Sequence, residues 1–378
     1  MPRVLYFSND YTPHDHRFLA ALAAHPEYEP FYLRLQRGPR PLETRPLPAG
    51  VTPVAWVGDR GPFAWSRLPQ YTADFRRVMR TVRPDLVHAG PVHTAAFIAA
   101  WEAAHPLVVM SWGSDILVDA SRNLFNRVVT RFVLRRATVF VADNRVVARR
   151  ARALGLPAST PVAVFPWGVD LEMFAPHAGH RERMRAFLGW HEAFVVLHNR
   201  AWEPIYGAEV VARSFVRAAR HEPRLRLLMV GGGSQEALIR GLLAPLAAEE
   251  RVHFTGYVPR PKLVNLYRAA DLYVSASYSD GSSVSLLEAL ACGLPVLVSD
   301  IPTNREWVRP GVEGEFFPPG DADALAAALL RFARQAPRVL EAMRAAARLR
   351  AEAEADWSRN LQRLWDAYHW ALVAGRTA

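Results

Sequence analysis

Cysteine and lysine are almost absent from this chain of 378 residues. Cys292 is the lone cysteine, which excludes an intrachain disulfide and fits a reducing compartment. It lies in an apolar stretch and is interpreted as a small buried hydrophobic residue. Lys262 is the lone lysine, so arginine carries nearly all of the base behind the formal charge of +10. Such a basic chain favours anionic partners, namely nucleotide phosphates, acidic lipid or nucleic acid.

Long apolar runs and metal-ligand clusters are also missing. No run of about eighteen apolar residues occurs, so the sequence predicts no transmembrane helix. The N-terminal sequence turns polar after about seven residues. This indicates a first strand and argues against a signal peptide. We therefore expect a cytoplasmic protein. Asp321 and Asp323 open a late helix and are interpreted as its cap and first-turn charge. No cluster has the spacing of a zinc site, so we expect no metal and no cofactor.

Short apolar runs alternate with helical patterns along the chain, and the alternation restarts after an irregular run at 167–180. An apolar fraction of 51% supports large cores. Alternation of this kind predicts an α/β fold with two Rossmann-like, doubly wound parallel-sheet domains that face a cleft. We place these domains at 1–172 and 173–355. Ligands of such folds bind at the carboxyl ends of the strands, where the helices begin.

The most informative stretch runs from 270 to 306 and is predicted as strand, loop, helix, strand and loop. Asp280 comes just before the helix, and Glu288 lies inside it. Backbone N–H groups at the start of a helix lack partners and suit a phosphate. The residues that would supply them are Gly281, Ser282, Ser283 and Val284. The alternative is an ordinary βαβ unit whose acids are a helix cap and a surface charge.

This stretch resembles the donor-site signature of the retaining GT-B glycosyltransferases of family 4, also called glycosyltransferase group 1. Two acids with seven residues between them are followed by a small-residue segment, here with Gly293, Pro295 and Val296. The family usually has Glu at the first acid, so Asp280 is a departure, and its shorter side chain requires the sugar or the loop to come closer. The resemblance implies the GT-B fold, with a final helix at 356–378 that crosses back to the N-terminal domain.

The resemblance also places a donor-binding loop after the strand that ends near 198. In the family this loop carries an Arg and, a few residues on, a Lys, and both contact the donor diphosphate. Arg200 matches the Arg, whereas Tyr206 stands where the Lys would be. A single guanidinium can still grip phosphate bidentately. The alternative is that Arg200 pairs structurally with Glu203 or Asp280.

Three further segments are expected at the donor. Gly232 belongs to a glycine run that matches a turn of the family, although a tight βα turn is an equally good interpretation. Tyr257 and Val258 lie in a segment that resembles the one whose backbone meets the nucleotide base. Glu288 would accept hydrogen bonds from the two ribose hydroxyls.

The N-terminal domain is expected to bind the acceptor or the sugar. Most relatives have a glycine-rich loop after the first strand, but here a polar loop carries His14, Asp15 and Arg17. These side chains would bind an acceptor or the donor phosphate; alternatively, Asp15 caps a helix that we predict from 17 onward, and His14 is solvated.

A second element of this domain is the SWGSD segment at 111–115. Asp115 would accept hydrogen bonds from sugar hydroxyls, and Trp112 would stack on the sugar. His88 flanks another strand end and is interpreted as lining the cleft.

The resemblance implies a glycosyltransferase that uses a nucleotide-diphosphate sugar, retains anomeric configuration and needs no metal. Arg200, Asp280 and Asp115 are the catalytic candidates. Arg200 and the helix amides would stabilise the leaving diphosphate, while Asp280 would hold sugar hydroxyls. From family habit, the acceptor is expected to be a cell-envelope glycan or its lipid-linked precursor.

The segment 123–136 interleaves apolar residues with arginines. It is interpreted either as a solvated helix face or as a peripheral contact with an anionic membrane at the inner face of the cytoplasmic membrane. The sequence leaves two alternative functions. A sugar-nucleotide 2-epimerase of the same fold would need further acid/base residues, which we cannot place. A basic nucleic-acid-binding protein would need a recognisable module, so nucleic acid is not expected as a partner.

Overall fold

The structure is a computed structural model that describes residues 1–38 and 41–377. It divides into two compact units. The first comprises Met1–Phe165 together with the chain from Gln362 onward, and the second comprises Pro166–Leu361. Each unit contains one fully parallel sheet, of seven and six strands respectively, flanked by helices. The two sheets confirm the predicted α/β class.

The first sheet has the strand order β3-β2-β1-β4-β5-β6-β7. Its strands are β1 (Arg3–Ser8), β2 (Glu29–Arg34), β3 (Thr52–Pro53), β4 (Leu86–Ala89), β5 (Leu107–Met110), β6 (Val139–Ala142) and β7 (Val162–Val164). The central strands β4, β5 and β6 are buried along their whole length, as expected for apolar runs in a covered parallel sheet. The sequence did not predict β3, which is a two-residue edge strand that contains a proline.

The helices of the first unit are α1 (Pro13–Ala24), α2 (Leu68–Val82), α3 (Ala95–Trp101), α4 (Ser114–Leu117), α5 (Leu124–Leu134) and α6 (Arg145–Ala153). Helix α1 begins four residues before the predicted position. The reason is a capping box, in which Thr12 and Asp15 each bond the other's backbone N–H. The segment 37–49 has no helix or strand in its described part, and residues 39–40 lie outside the described residues.

The second sheet has the order β10-β9-β8-β11-β12-β13. Its strands are β8 (Phe194–His198), β9 (Leu225–Val230), β10 (Val252–Gly256), β11 (Leu272–Ser275), β12 (Val296–Ser299) and β13 (Gly314–Phe317). Its helices are α7 (Ala178–Leu188), α8 (Ala208–Ala219), α9 (Glu236–Ala248), α10 (Arg260–Ala269), α11 (Val284–Ala291), α12 (Ala322–Ala333) and α13 (Pro337–Glu354). The strand–helix–strand arrangement predicted for 270–306 is therefore present as β11, α11 and β12.

The last helix, α14 (Trp357–Thr377), begins in the second unit, and its residues from Gln362 onward belong to the first. Within the first unit Tyr368 is fully buried, and its ring lies 5.5 Å from that of Tyr28. The ring of Trp365 lies 4.6 Å from that of His25. These aromatic residues are thus core residues of the first unit.

Three arginines converge on one buried carboxylate in the second unit. Asp271, just before β11, forms ion pairs with Arg181 and Arg185 of α7 and with Arg344 of α13, the last at 3.0 Å. Asp271 also accepts a hydrogen bond from the backbone N–H of Val195 at 2.8 Å. Burial would raise the pKa of Asp271, but the guanidinium groups outweigh it and hold the pKa below its usual value. The cluster fixes α7, a helix that the sequence did not predict.

Replacement of Asp271 by Asn should therefore destabilise the second unit by about 3 kcal/mol, because buried guanidinium groups lose their counter-charge. Urea denaturation followed by circular dichroism measures the effect. Since the pKa of Asp271 is lowered in the folded state, the stabilisation is fully present above about pH 3.9, the value of an unfolded aspartate, and is lost as the pH falls further. Asp300→Asn is the matched control: its pair with Arg305 is largely exposed, so it should cost less than about 1 kcal/mol. Equal losses in the two variants would contradict this account.

Candidate functional site

Arg200 lies just beyond the carboxyl end of β8 and is held on all sides. Its Nη2 atom is 2.7 Å from Oδ2 of Asp280. Its Nη1 atom donates to the hydroxyls of Ser283 and Ser285 at 3.2 and 3.3 Å. The guanidinium also lies over the ring of Tyr206, 4.1 Å from the ring centre. Only 13% of the Arg200 side chain is exposed, so this cation is fixed in one orientation.

The start of α11 meets this arginine. Ser283 caps the helix, and its hydroxyl accepts a hydrogen bond from the Leu286 N–H at 3.4 Å. Asp280 accepts a hydrogen bond from the Gly281 N–H at 3.0 Å. Burial raises the pKa of Asp280, and Arg200 opposes that rise. A guanidinium and the positive end of a helix dipole therefore lie together, which is the electrostatic pattern of an anion site.

The alternative interpretation of Arg200 is partly realised, because Arg200 does pair with Asp280. Glu203, the other partner considered, instead accepts a hydrogen bond from the Ser234 N–H at 2.8 Å. The Nε atom of Arg200 is buried and has no hydrogen-bond partner within the described residues. The ion pair thus leaves part of the donor capacity of Arg200 unused.

Glu288 lies deeper in α11 and is 5% exposed. Its Oε2 atom is 3.1 Å from the Tyr267 hydroxyl, and its Oε1 atom is 3.4 Å from Nη2 of Arg260. The Tyr267 hydroxyl also accepts a hydrogen bond from Asn199 at 2.9 Å. Sequence reasoning missed Tyr267, Asn199 and Arg260. Only Arg260 had a signal, as a basic residue that opens a helix after a strand-end loop.

The glycine run at 231–233 forms a tight turn after β9. The Gly232 carbonyl accepts hydrogen bonds from the Trp202 N–H and from the Tyr257 hydroxyl, both at 3.0 Å. A Cβ atom on Gly233 would lie 2.6 Å from the Trp202 carbonyl oxygen, so only glycine fits there. Tyr257 is 79% exposed and Val258 is partly buried, both just after β10. Because β10, β9, β8 and β11 are neighbours, all the predicted donor residues lie at one edge of this sheet.

In the first unit, Asp15 is fully buried and serves the capping box of α1. It accepts hydrogen bonds from the Thr12 N–H at 2.9 Å and from the Tyr6 hydroxyl at 3.1 Å. Burial raises the pKa of Asp15 to about 6. His14 is partly exposed, with its ring centre 6.1 Å from that of Trp112, and Arg17 is also partly exposed. The helix-cap alternative for Asp15 is therefore the structural role observed.

Asp115 is surrounded by hydrogen-bond donors. Its carboxylate accepts from the Ser111 hydroxyl at 2.6 Å and from the backbone N–H groups of Val92, Trp112 and Ile116 at 3.0 to 3.1 Å. Four bonds use the acceptor capacity of one carboxylate. The predicted contact of Asp115 with a sugar stays a prediction, and the geometry favours a positioning role for the loop that carries Trp112.

A cavity of about 370 Å³ lies beside this loop and is called here the Trp112 pocket. It is bounded by the loops that follow β1, β4 and β5, and its lining includes Asp15, Asp115 and Trp112. It shares His93, Thr94 and Asp119 with an adjoining cavity of about 450 Å³, which Arg122 also lines. The structure thus brings these predicted acceptor-side residues of the first unit together.

His88 corrects one prediction, because it does not line a pocket. It lies within β4 and is 1% exposed, with Nδ1 2.6 Å from the Tyr368 hydroxyl and its ring 4.8 Å from that of Tyr6. Burial lowers the pKa of His88 to about 3. The side chain of a strand residue alternates between faces, and here it points into the core under α14.

Within residues 1–38 and 41–377, no group of three or more His, Cys, Asp or Glu side chains is arranged to hold a metal ion. In the same part of the chain, no helix combines the length and apolar character that a membrane span requires.

Two family profiles match nearly the whole chain. The profile described as glycosyl transferases group 1 matches residues 180–350, and that described as glycosyl transferase 4-like domain matches residues 12–168. The chain belongs to the group 1 glycosyltransferases. This family confirms the resemblance seen in the 270–306 stretch.

Relatives and solved structures agree with this family. The D-inositol 3-phosphate glycosyltransferase 1 of Catenulispora acidiphila is 32% identical over 256 residues, which is 64% of this chain and 60% of that relative. The chain thus matches less than two thirds of the relative's length. Sucrose-phosphate synthase from Thermosynechococcus elongatus superposes with a TM-score of 0.81 at 19% identity, over 99% of this chain and 100% of the other. HepE from Anabaena, solved with UDP-glucose, superposes with a TM-score of 0.79 at 19% identity, over 98% of this chain and 100% of HepE. The predicted GT-B fold is confirmed.

The burial of His88 predicts a pH-dependent loss of stability. Below about pH 6.5 the unfolded chain binds a proton that the folded chain excludes, so stability falls as the pH decreases. Between pH 6.5 and 5, wild type should lose about 1.5 kcal/mol relative to His88→Gln, which has no titrating group. Urea denaturation at several pH values measures this difference. His105→Gln, which changes an exposed histidine of the same unit, should follow wild type; a similar flattening of its profile would contradict the assignment.

Proposed function

We propose that this chain transfers a sugar from a nucleotide-diphosphate donor to an acceptor hydroxyl, with retention of anomeric configuration and without a metal ion. The observation that carries the proposal is the meeting of Arg200 with the first turn of α11 at one sheet edge. This edge offers a fixed guanidinium and helix N–H groups to a diphosphate. These groups would stabilise the negative charge that grows on the leaving diphosphate. In other transferases a metal ion supplies this stabilisation.

Donor binding would exchange one anion for another at Arg200. In the structure Asp280 supplies the counter-charge to Arg200 at 2.7 Å. A diphosphate would take over Arg200 and use its Nε atom, which now lacks a partner among the described residues. Asp280 would then turn its carboxylate to the hydroxyls of the transferred sugar. This exchange explains how one loop serves both the phosphate and the sugar.

The chemical step follows from these contacts. The bond between the anomeric carbon and the phosphate oxygen breaks, and the sugar passes through an oxocarbenium-like state. The acceptor hydroxyl attacks from the face that the phosphate leaves, and its proton passes to the departing phosphate oxygen. Retention results, and no protein base is required near the anomeric carbon. Arg200 and the α11 start hold the leaving group throughout.

Glu288 would bind the ribose of the donor. Its carboxylate is oriented by the Tyr267 hydroxyl and by Arg260, so it is fixed before the nucleotide arrives. Gly232, Tyr257 and Val258 lie at the same edge and would meet the base. HepE was solved with UDP-glucose, so uridine diphosphate is the first nucleotide to test. The family assignment does not favour the epimerase or the nucleic-acid-binding alternative.

The acceptor is proposed to be a glycan or a lipid-linked precursor. The relative from Catenulispora acidiphila is named for D-inositol 3-phosphate, a small phosphorylated polyol. In this chain, helix α5 exposes large apolar side chains: Leu124 is 77%, Phe125 53% and Val128 58% exposed. Trp65 lies against Phe125 at 5.1 Å between ring centres. These four residues are called the α5 patch.

We propose that the α5 patch touches an anionic membrane. Arginines surround it, namely Arg122, Arg127, Arg131, Arg135 and Arg136, and all are exposed. A solvated helix face would carry polar residues, whereas exposed leucine, phenylalanine and valine beside arginines suit the boundary between lipid tails and acidic headgroups. This contact would hold the protein at the inner face of the cytoplasmic membrane, where a lipid-linked acceptor lies.

Arg200→Ala should weaken UDP binding about 10- to 100-fold, because charge-assisted hydrogen bonds to the diphosphate are lost. Isothermal titration calorimetry with UDP measures this. Arg200→Lys keeps the positive charge without the planar guanidinium. Its affinity for UDP should lie between those of wild type and Arg200→Ala. Arg213→Ala, which removes an exposed arginine of α8, is the matched control and should bind like wild type. Affinity for Arg200→Ala within threefold of wild type would contradict the proposal.

The membrane proposal predicts that the double variant Leu124→Glu, Val128→Glu loses most of its binding to vesicles of mixed phosphatidylcholine and phosphatidylglycerol. The apolar contact is removed and two charges oppose the lipid headgroups. Co-sedimentation at low salt measures bound protein. Leu349→Glu is the control, since Leu349 is a 64% exposed leucine on α13. If wild type fails to sediment with these vesicles, or if the control loses binding equally, the α5 patch is not a membrane contact.

A further inference from the structure

The Trp112 pocket has a charge opposite to that of the whole chain. Four carboxylates line it, from Asp10, Asp15, Asp115 and Asp119. Among its described lining residues none is arginine or lysine. The chain as a whole carries a formal charge of +10. The pocket is therefore a local region of negative potential in a basic protein, and a cavity concentrates such a field.

This negative wall is fixed in place. Asp15 is tied to Thr12 by the capping box, and Asp115 is tied to the backbone by three N–H groups. Asp10 accepts hydrogen bonds from the N–H groups of Tyr11 and Gly38 at 2.7 and 3.1 Å. None of these three carboxylates can turn away without breaking the loops. An anion that enters the pocket would therefore be repelled by these fixed carboxylates.

Arg34 and His93 lie near the wall, and both are already engaged. Arg34 lies 3.8 Å from Asp10 but forms its closer ion pair, at 2.5 Å, with Asp59. His93, which lines the pocket, has its Nε2 atom 2.8 Å from the Thr130 hydroxyl. Neither residue presents an arginine- or lysine-like cation to the cavity. A phosphate group in the pocket would thus lose its hydration and gain no arginine or lysine partner from the described lining.

The same pocket offers hydrogen-bonding groups that hydroxyls can use. The Oδ1 atom of Asn9 and the hydroxyl of Thr94 are buried and have no hydrogen-bond partner among the described residues. Both residues line the cavity. An amide oxygen accepts from a hydroxyl, and a threonine hydroxyl both donates and accepts. Trp112 adds an aromatic surface that suits the apolar face of a sugar ring.

We propose that the Trp112 pocket binds an uncharged, polyhydroxylated part of the acceptor and rejects a phosphorylated one at the same position. The inference rests on the proposed function, because it names the class of acceptor group that the first unit takes. It sets this chain apart from the relative whose named acceptor carries a phosphate. A phosphate elsewhere on a long acceptor, outside the pocket, is compatible with it.

Saturation-transfer NMR on the Arg200→Ala chain tests this directly, since that variant removes the main phosphate contact of the donor site. The probes are glucose, N-acetylglucosamine and myo-inositol, each paired with its monophosphate. At least one neutral probe should show saturation transfer, and its monophosphate should bind at least tenfold more weakly. Thr94→Val, introduced into the same background, should abolish the neutral signal because the methyl group cannot hydrogen-bond. Stronger binding of the phosphorylated probes, or no binding of any neutral probe, would overturn the proposal.

A second experiment reverses the charge of Asp119, which lines the Trp112 pocket. The side chain of Asp119 has no hydrogen bond in the described structure; its backbone carbonyl, and not its carboxylate, accepts from Asn126. Asp119→Lys should therefore fold normally and should raise the relative affinity for the phosphorylated probe at least tenfold. Glu27→Lys makes the same charge change at an exposed site outside the pocket and should leave the ratio unchanged. Equal shifts in both variants would show a general charge effect and would contradict a pocket-specific one.

The two proposals fail in different ways. If UDP does not bind to the wild-type chain, the transferase function fails, whatever the probes show. If UDP binds but the phosphorylated probes are preferred, the function stands and the acceptor inference falls. Transfer from a UDP-sugar to the neutral member of a pair, with less transfer to its phosphorylated member, would support both.

Discussion

The ion pair between Arg200 and Asp280 is the interaction on which the candidate donor site depends. A guanidinium that is 13% exposed needs a counter-charge, and Asp280 supplies it. The pair also keeps the loop before α11 against the loop after β8. An aspartate at this position, where the family usually has glutamate, therefore lies directly on the arginine. The shorter acid seen in the sequence thus acquires a physical role as the ion-pair partner of Arg200.

That ion pair depends in turn on one glycine. A Cβ atom on Gly207 would lie 2.2 Å from the carbonyl oxygen of Ala276, and Gly207 has a positive φ of +63°. Any other residue would push apart the two loops that carry Arg200 and Asp280. The stacked ring of Tyr206 precedes this glycine, so the turn that lets the loops meet also places the aromatic support. The ion pair at the site therefore depends on the close backbone approach of the two loops that carry its side chains.

Sequence reasoning predicted the elements better than the partners. The strand, helix and strand around 270–306 could be predicted because buried apolar runs and glycine stops are local signals. Helix α7 could not, since it is polar and is held by Arg181 and Arg185 on Asp271, a contact between residues far apart in the chain. His88 was misplaced for the same reason: its partner Tyr368 comes from the last helix. The capping box of Thr12 and Asp15 was readable in principle, because both members are close in sequence.

Net charge was the least informative property of the chain for locating binding sites, because most arginines and acids are engaged in local ion pairs and hydrogen bonds. Several arginines stabilise the carboxyl ends of helices: Arg181 donates to the Ala270 carbonyl at 2.5 Å, and Arg348 to the Ala291 carbonyl at 2.7 Å. Such arginines add to the formal charge while they are engaged with backbone carbonyls of the fold. What matters for ligands is the contrast between Arg200 in the second unit and the carboxylates of the Trp112 pocket in the first. Under the proposed function, a diphosphate would be stabilised near Arg200 and repelled by the Trp112 pocket, so each unit would select a different half of a glycosyl transfer.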